Sequence, residues 1–163
     1  MTEKIRITVL VENTVEGRGL LDEHGLAFWI EAGSRRILFD TGQGSVLVHN
    51  AYRMQLSLGR IDTIVLSHGH YDHSGGLLGY AEACKKPLFL HTHESAFKKR
   101  LKKARGGLQD ISMPFGKDAL IDAGYEIRES DTPERVSNWL ATSGIIRRES
   151  FEQPETEFFI VEG

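Results

Sequence analysis

One short run holds most of the chain's reactive side chains: Ser67-His68-Gly69-His70-Tyr71-Asp72-His73-Ser74-Gly75-Gly76. Three imidazoles and one carboxylate within six positions form the donor set preferred by a borderline-soft divalent ion such as zinc. The run follows Asp62-Thr63-Ile64-Val65-Leu66-Ser67, a short apolar, β-branched stretch that reads as a buried strand. The histidines therefore fall on a loop at the carboxyl end of a strand, where open α/β sheets bind their ligands. In such a loop His68 and His70 can face one point while Asp72 and His73 turn to a second, an arrangement that suits two adjacent ions. The competing reading is a solvated loop that happens to be rich in histidine.

The hydrophobic pattern predicts the elements that must hold this loop. Residues 4–12 form a first strand, buried towards its end, and residues 26–31 and 35–39 a hairpin around Ala32-Gly33-Ser34. The hairpin ends at Asp40-Thr41-Gly42. A carboxylate there can hold a metal-ligand histidine through its other ring nitrogen, a role expected of Asp40; the alternative is a plain Asx-type turn. The loop of residues 13–25, which includes His24, is either a solvated connection or a substrate-side element. Residues 44–58 have helical spacing, with Gly59 as the expected C-cap and N–H groups near Gly42-Gln43-Gly44 free for an anion. His49 is expected to be a surface or packing residue.

After the histidine run, residues 77–86 read as a helix ended by Pro87, and residues 88–91 as a strand parallel to the one before the histidines. Alternation puts His91 and His93 on one face of that strand. Either one of them approaches the metals or substrate, or one caps the next helix while the other is partly buried. Residues 94–104 read as a basic helix. Its Lys98 and Lys99 either meet an anionic group or face solvent. A helix over 115–123 with Gly124 as its stop, and strands over 125–128, 136–142 and 157–161, complete the chain.

At 163 residues the chain is expected to be one domain, spanning 1–163. Hydrophobic residues make up 40% and charged residues 26%, and 20 Lys+Arg against 23 Asp+Glu give a net charge of -3, which argues against a dedicated nucleic-acid binder. The lone cysteine, Cys84, excludes an intramolecular disulfide and fits a reducing cytoplasm, the expected setting. No apolar run approaches the ~20 residues of a membrane span, and the charged amino terminus does not read as a secretory signal.

His-x-His-x-Asp-His after an apolar strand resembles the signature of the metallo-β-lactamase fold superfamily, and Leu38-Phe39-Asp40-Thr41-Gly42 resembles its earlier aspartate turn. Further stretches are similar to the branch that includes dihydropterin–ribofuranosylaminobenzene phosphate synthase. They are Val11-Glu12-Asn13-Thr14, the segment from Gly19 to Leu26, and Thr142-Ser143-Gly144-Ile145-Ile146-Arg147-Arg148 with Phe151-Glu152. A proline usual near Ile146 or Arg147 is missing here. The resemblance implies an α/β fold, an αββα sandwich, with metal ligands His68, His70, Asp72 and His73, and Asp40 supporting them. Asp72 would hold the second ion and orient the nucleophile, and His93 and Arg147 would contact substrate. The implied cofactor is one or two divalent ions, zinc first, with iron or manganese as alternatives.

The implied activity is hydrolysis of an ester-type substrate (phosphoester, thioester or lactone) through a metal-bound hydroxide. The alternatives are a pterin-related transferase and a non-catalytic metal-binding half-domain. Members of this fold are longer, and their second half supplies another histidine, a bridging aspartate and a last histidine. This chain has no histidine after His93. The C-terminal half is therefore expected to be missing or supplied by another chain. A homodimer or complementing chain is expected to cover the apolar face so exposed. The expected substrate is a small anionic molecule, with no nucleic acid or membrane as partner.

Overall fold

The computed structural model describes residues 4–84, 88–138, 140–147, 149 and 156–161. In chain order the elements are β1 (Ile5–Val11), β2 (Ala27–Ala32), β3 (Arg35–Phe39), α1 (Ser45–Arg53), β4 (Thr63–Val65), α2 (Tyr71–Ser74), α3 (Leu77–Cys84) and β5 (Leu88–Thr92). They continue with β6 (Arg100–Ala104), β7 (Gly107–Asp110), α4 (Lys117–Asp122), β8 (Tyr125–Glu129), β9 (Glu134–Arg135), β10 (Ala141–Thr142) and β11 (Phe158–Ile160). The architecture is mixed α/β. A six-stranded sheet runs in the order β1-β2-β3-β4-β5-β8, beside a three-stranded sheet β11-β6-β7 and a two-stranded β10-β9 pair. The β1–β2–β3 pairings are antiparallel, and β3, β4, β5 and β8 run parallel. Parallel strands need long crossovers, and the helices supply them. No helix among the described residues is long and apolar enough to cross a membrane.

Strand alternation sends Trp29, Leu38, Ile64 and Leu90 to the face covered by α1 and α3, where each is at most 2% exposed. Burying such a side chain contributes roughly 1.5–3 kcal/mol. The opposite face carries a smaller cluster of Ile30, Ile37 and Val65, partly covered by Val136 and Leu140 from the segment between β9 and β10. On β1, the edge strand of that sheet, Ile5, Ile7 and Val9 are 55%, 60% and 46% exposed. Register places Ile7 opposite Ile30 and Val9 opposite Phe28, so the exposed stripe extends this second face.

Several boundaries differ from expectation. Residues 94–104 are not a helix: a short 3-10 turn over Glu94–Phe97 leads into β6. Lysine and arginine suit helices by propensity, but β6 pairs with both β7 and β11, and ladder pairing overrides a weak preference. The Gly106-Gly107 pair belongs to the β6–β7 hairpin, with Gly107 at φ 123. Helix α1 ends at Arg53 with Met54 as its C-cap, and Gln55 takes φ 58. Gly59 lies in the following 3-10 turn and is not a cap. The strand expected over 136–142 is not continuous: Val136 N–H donates to Leu140 O, and among the described residues of this span Ala141 and Thr142 form the ladder, with Arg135 and Glu134. Pro87, Arg148, Phe151 and Glu152 lie outside the described residues.

Candidate metal centre

The histidine run leaves β4 and turns into α2 at the carboxyl end of the parallel strands. Glycine makes the path possible. Gly69, between His68 and His70, is packed so that any Cβ would collide with the backbone carbonyl of Ala96. Gly75 leaves room for Gln43 O and Tyr71 O, each 2.6 Å from where its Cβ would stand. The turn at 40–43 is clamped to α2: Thr41 N–H and Oγ1–H both donate to His73 O, at 2.7 and 3.0 Å. The His70 backbone is fixed from the other side by a β-bridge to Ser112 and by Ser74 Oγ–H, which donates to His70 O at 2.7 Å.

Asp40 organises the side chains. It is fully buried and sits at φ 58, in the left-handed region that aspartate tolerates better than most residues. Its Oδ1 accepts the Ser67 N–H at 2.8 Å. Its Oδ2 accepts the Ser67 hydroxyl at 2.7 Å and the His73 Nδ1–H at 2.8 Å. Because Ser67 Oγ donates to Asp40, it accepts from His68 Nδ1, 2.8 Å away. One carboxylate thus occupies the Nδ1 of His73 directly and that of His68 through Ser67, leaving both Nε2 atoms as lone pairs. The rings converge. His68 lies 4.3 Å from His70 and 4.2 Å from His73, centroid to centroid. His73 Nε2 stands 3.5 Å from Asp72 Oδ2, and Asp72 is nearly buried.

Burial, with the neighbouring His73 and His70, lowers the pKa of His68 to about 4, so its imidazole is neutral at pH 7. Burial also lowers His70. At His73 burial again opposes the charge, but the hydrogen bond and charge of Asp40, with Asp72, outweigh it and raise its pKa. Among the described residues no three His, Cys, Asp or Glu side chains already surround one point at ligating distance. The donor chemistry nonetheless fits a divalent ion: three imidazoles, two of them with tethered Nδ1 atoms, gathered beside a carboxylate, are what zinc-type ions take. His68, His70, Asp72 and His73 are the residues that could hold it.

Beside Ser67 opens a cavity of about 710 Å³, within the usual range for small-molecule sites. Phe39, Val65, Leu140 and Ile145 give it apolar walls, and His91, Arg128 and Glu134 contribute polar groups. His93 also lines it, while its Nδ1 accepts the Ser95 N–H at 3.1 Å and so caps the 94–97 turn. His91 is buried, with Nδ1 3.5 Å from Glu134 Oε2; burial, then Arg128, lowers its pKa against the pull of Glu134. Arg147 is exposed and does not line this cavity, although its neighbours Ile145 and Ile146 do. Lys98 and Lys99 are exposed, with Lys99 3.7 Å from Asp110. The N–H groups before α1 meet the chain's own acid: Gln43 N–H donates to Glu23 Oε1 at 2.8 Å.

Sequence reasoning missed Ser67 as the relay to His68; a hydroxyl directly before the first histidine was the available signal. It also left His24 undecided, though the structure places His24 Nε2 3.4 Å from Asp72 Oδ2.

Comparison with known proteins places these features in context. Residues 21–148 match the family model described as the metallo-beta-lactamase superfamily. An uncharacterized protein of Methanocaldococcus jannaschii, MJ0448, is 34% identical over 153 residues, 93% of this chain and 57% of that protein. The 7,8-dihydropterin-6-methyl-4-(beta-D-ribofuranosyl)-aminobenzene-5'-phosphate synthase of the same organism is 38% identical over 81 residues, 47% of this chain and 28% of the enzyme. Among solved structures, Tm1679, described as a metal-dependent hydrolase of the beta-lactamase superfamily, superposes with a TM-score of 0.74 at 21% identity. The match covers 98% of this chain and 55% of Tm1679. The chain thus spans just over half the length of MJ0448 and of Tm1679.

Proposed function

The chain belongs to the metallo-beta-lactamase superfamily, and from that membership we propose that it is a metal-dependent hydrolase of small, anionic, ester-type substrates: phosphoesters, thioesters or lactones. The observation that carries this reading is the Asp40 hub, which occupies Nδ1 of His73 directly and of His68 through Ser67, itself a cavity-lining residue, and leaves both Nε2 atoms free in a cluster with His70 and Asp72. A divalent ion, zinc before iron or manganese, would be held there by His68, His70, Asp72 and His73 and would supply Lewis acidity. Everything else is the work of the chain. Asp40 fixes the imidazole tautomers and offsets positive charge, and Asp72 provides the hard oxygen donor and orients the attacking group. The apolar cavity walls exclude bulk water from the substrate body, and His93 and Arg128, which line the cavity, favour a negatively charged group there. The setting is a reducing cytoplasm, and a second copy or a complementing chain covers the exposed β1 stripe.

The test is His70→Ala, assayed for metal content and for turnover of aryl phosphate, thioester and lactone substrates. Metal and activity should be lost together; activity that survives without metal would overturn the reading. A second reading, a pterin-related transferase, is favoured by the likeness to the synthase over 81 residues. Product analysis with and without an arylamine acceptor separates the two, since a hydrolase forms the same product in either case.

A further inference from the structure

The loop of residues 13–25 brings a fourth histidine to the cluster. His24 Nε2 stands 3.4 Å from Asp72 Oδ2, and His73 Nε2 stands 3.5 Å from the same oxygen. The His24 tautomer is set from behind. Its Nδ1–H donates to Asn13 Oδ1 at 2.8 Å. The Asn13 amide is oriented in turn, because its Nδ2–H donates to Glu12 Oε1 at 2.8 Å and its backbone N–H reaches the same oxygen at 2.7 Å. The relay Glu12–Asn13–His24 therefore does for His24 what Asp40 does for His73: it occupies Nδ1 and presents the Nε2 lone pair to Asp72.

The loop cannot stand away from this position. Leu26 N–H donates to Asp72 O at 3.3 Å, and Gln43 Nε2–H donates to His24 O at 2.6 Å. Gly25 lies so close that a Cβ would meet the Asp72 carbonyl, and its φ of 149 is one that other residues avoid. Two lone-pair nitrogens and a carboxylate oxygen at such distances repel one another unless a proton or a metal cation lies among them. Donors bound at 2.0–2.1 Å in a tetrahedron stand about 3.3 Å apart, close to both separations. The His24 side chain is 68% exposed, so its ring is free to close the remaining gap.

We propose that His24 is a metal ligand, its Nε2 joining Asp72 and His73 around the second ion, with Asn13 as its positioning residue. This assigns a third protein donor to a site for which the histidine run supplies only two. The inference rests on the metal-binding reading above, and the experiment separates the two. The full chain is titrated with zinc against a chromophoric chelator, as wild type, His24→Ala and Asn13→Ala, and the His24 ring nitrogens are followed by 15N NMR.

The wild type should take up two ions. His24→Ala should leave the tighter ion within about twofold and weaken the other at least tenfold, and Asn13→Ala should weaken that same ion by 10–100-fold. Zinc should shift the His24 Nε2 resonance while Nδ1 stays protonated. A His24 that is merely a protonated ion-pair partner of Asp72 would give unchanged or tighter uptake of the second ion in His24→Ala, which overturns the proposal. Equal weakening of both ions also overturns it, as a structural effect. A wild type that takes up no zinc refutes the metal reading itself.

Discussion

Replacing Asp40 by asparagine keeps size and shape but changes who donates to whom. Asp40 Oδ1 faces a backbone N–H, that of Ser67, which can only donate. The new amide therefore puts its carbonyl there and its NH2 where Oδ2 was, facing Ser67 Oγ and His73 Nδ1. His73 must then accept at Nδ1 and carry its proton on Nε2, where the ion should bind. Ser67 Oγ, now accepting from the amide, turns its proton towards His68 Nδ1 and moves the His68 proton to Nε2 as well. One substitution thus flips two tautomers. Losing the support behind a ligating histidine typically costs 10–100-fold in metal affinity, or about 1.4–2.7 kcal/mol. With two rings affected, zinc affinity should fall by about 100-fold. Fold stability should fall by roughly 1.5–3 kcal/mol, the range for a hydrogen bond to a charged group. Zinc competition titration gives the first number, urea denaturation the second, and long-range 1H–15N NMR reads the tautomers. An Asp40→Asn chain that binds zinc as the wild type does, with Nδ1 of His73 still protonated, refutes the reasoning.

Gly69→Ala should destabilise the fold by about 1–3 kcal/mol, because the added methyl meets the Ala96 backbone and neither segment has room to yield. Gly79→Ala, in α3 with open space around it, should stabilise by roughly 0.5–1 kcal/mol, and paired denaturation curves check both. In chelator-treated protein, His68 titrates near 4 when folded and near 6.5 when unfolded, so the unfolded chain binds more protons in between. Its contribution to stability should therefore fall as pH drops from 6.5 towards 4, and His68→Gln should flatten that slope in pH-dependent melts. His73, raised when folded, contributes in the opposite sense, losing stability as pH climbs above 6.5. The exposed Ile5, Ile7 and Val9 stripe should support association at micromolar concentration in sedimentation velocity. Ile7→Lys should shift the population towards monomer, and a compact wild-type monomer contradicts that proposal.

The histidine loop was legible because its chemistry is local: strand, dense ligand run and Gly-Gly all lie within about fifteen residues. The Asp40 turn was legible for a similar reason, since a carboxylate at a strand end before glycine has few roles. The parallel pairing of β4 and β5 followed from the intervening helix. What the sequence obscured depended on distant pairing. Residues 100–104 look helical by composition, and only their partners β7 and β11, the latter more than fifty residues on, make them a strand. The 136–142 segment has strand-like residues but folds back to place Val136 and Leu140 over Ile30 and Ile37, a contact no local pattern encodes. His24 is nearly fifty residues from Asp72, and only the clamp of Gln43 and Leu26 brings them together. Between His91 and His93 alternation could not choose. In the folded chain both line the cavity, one buried beside Glu134 and the other capping a turn.

The account stands on divalent-ion binding by the imidazoles that follow β4. Crystals of the full chain grown with zinc, with data collected on both sides of the zinc absorption edge, test this most directly. The account predicts anomalous peaks within ligating distance of His68, His70, Asp72 and His73. Ordered water in that space, with no anomalous signal at saturating zinc, would contradict it.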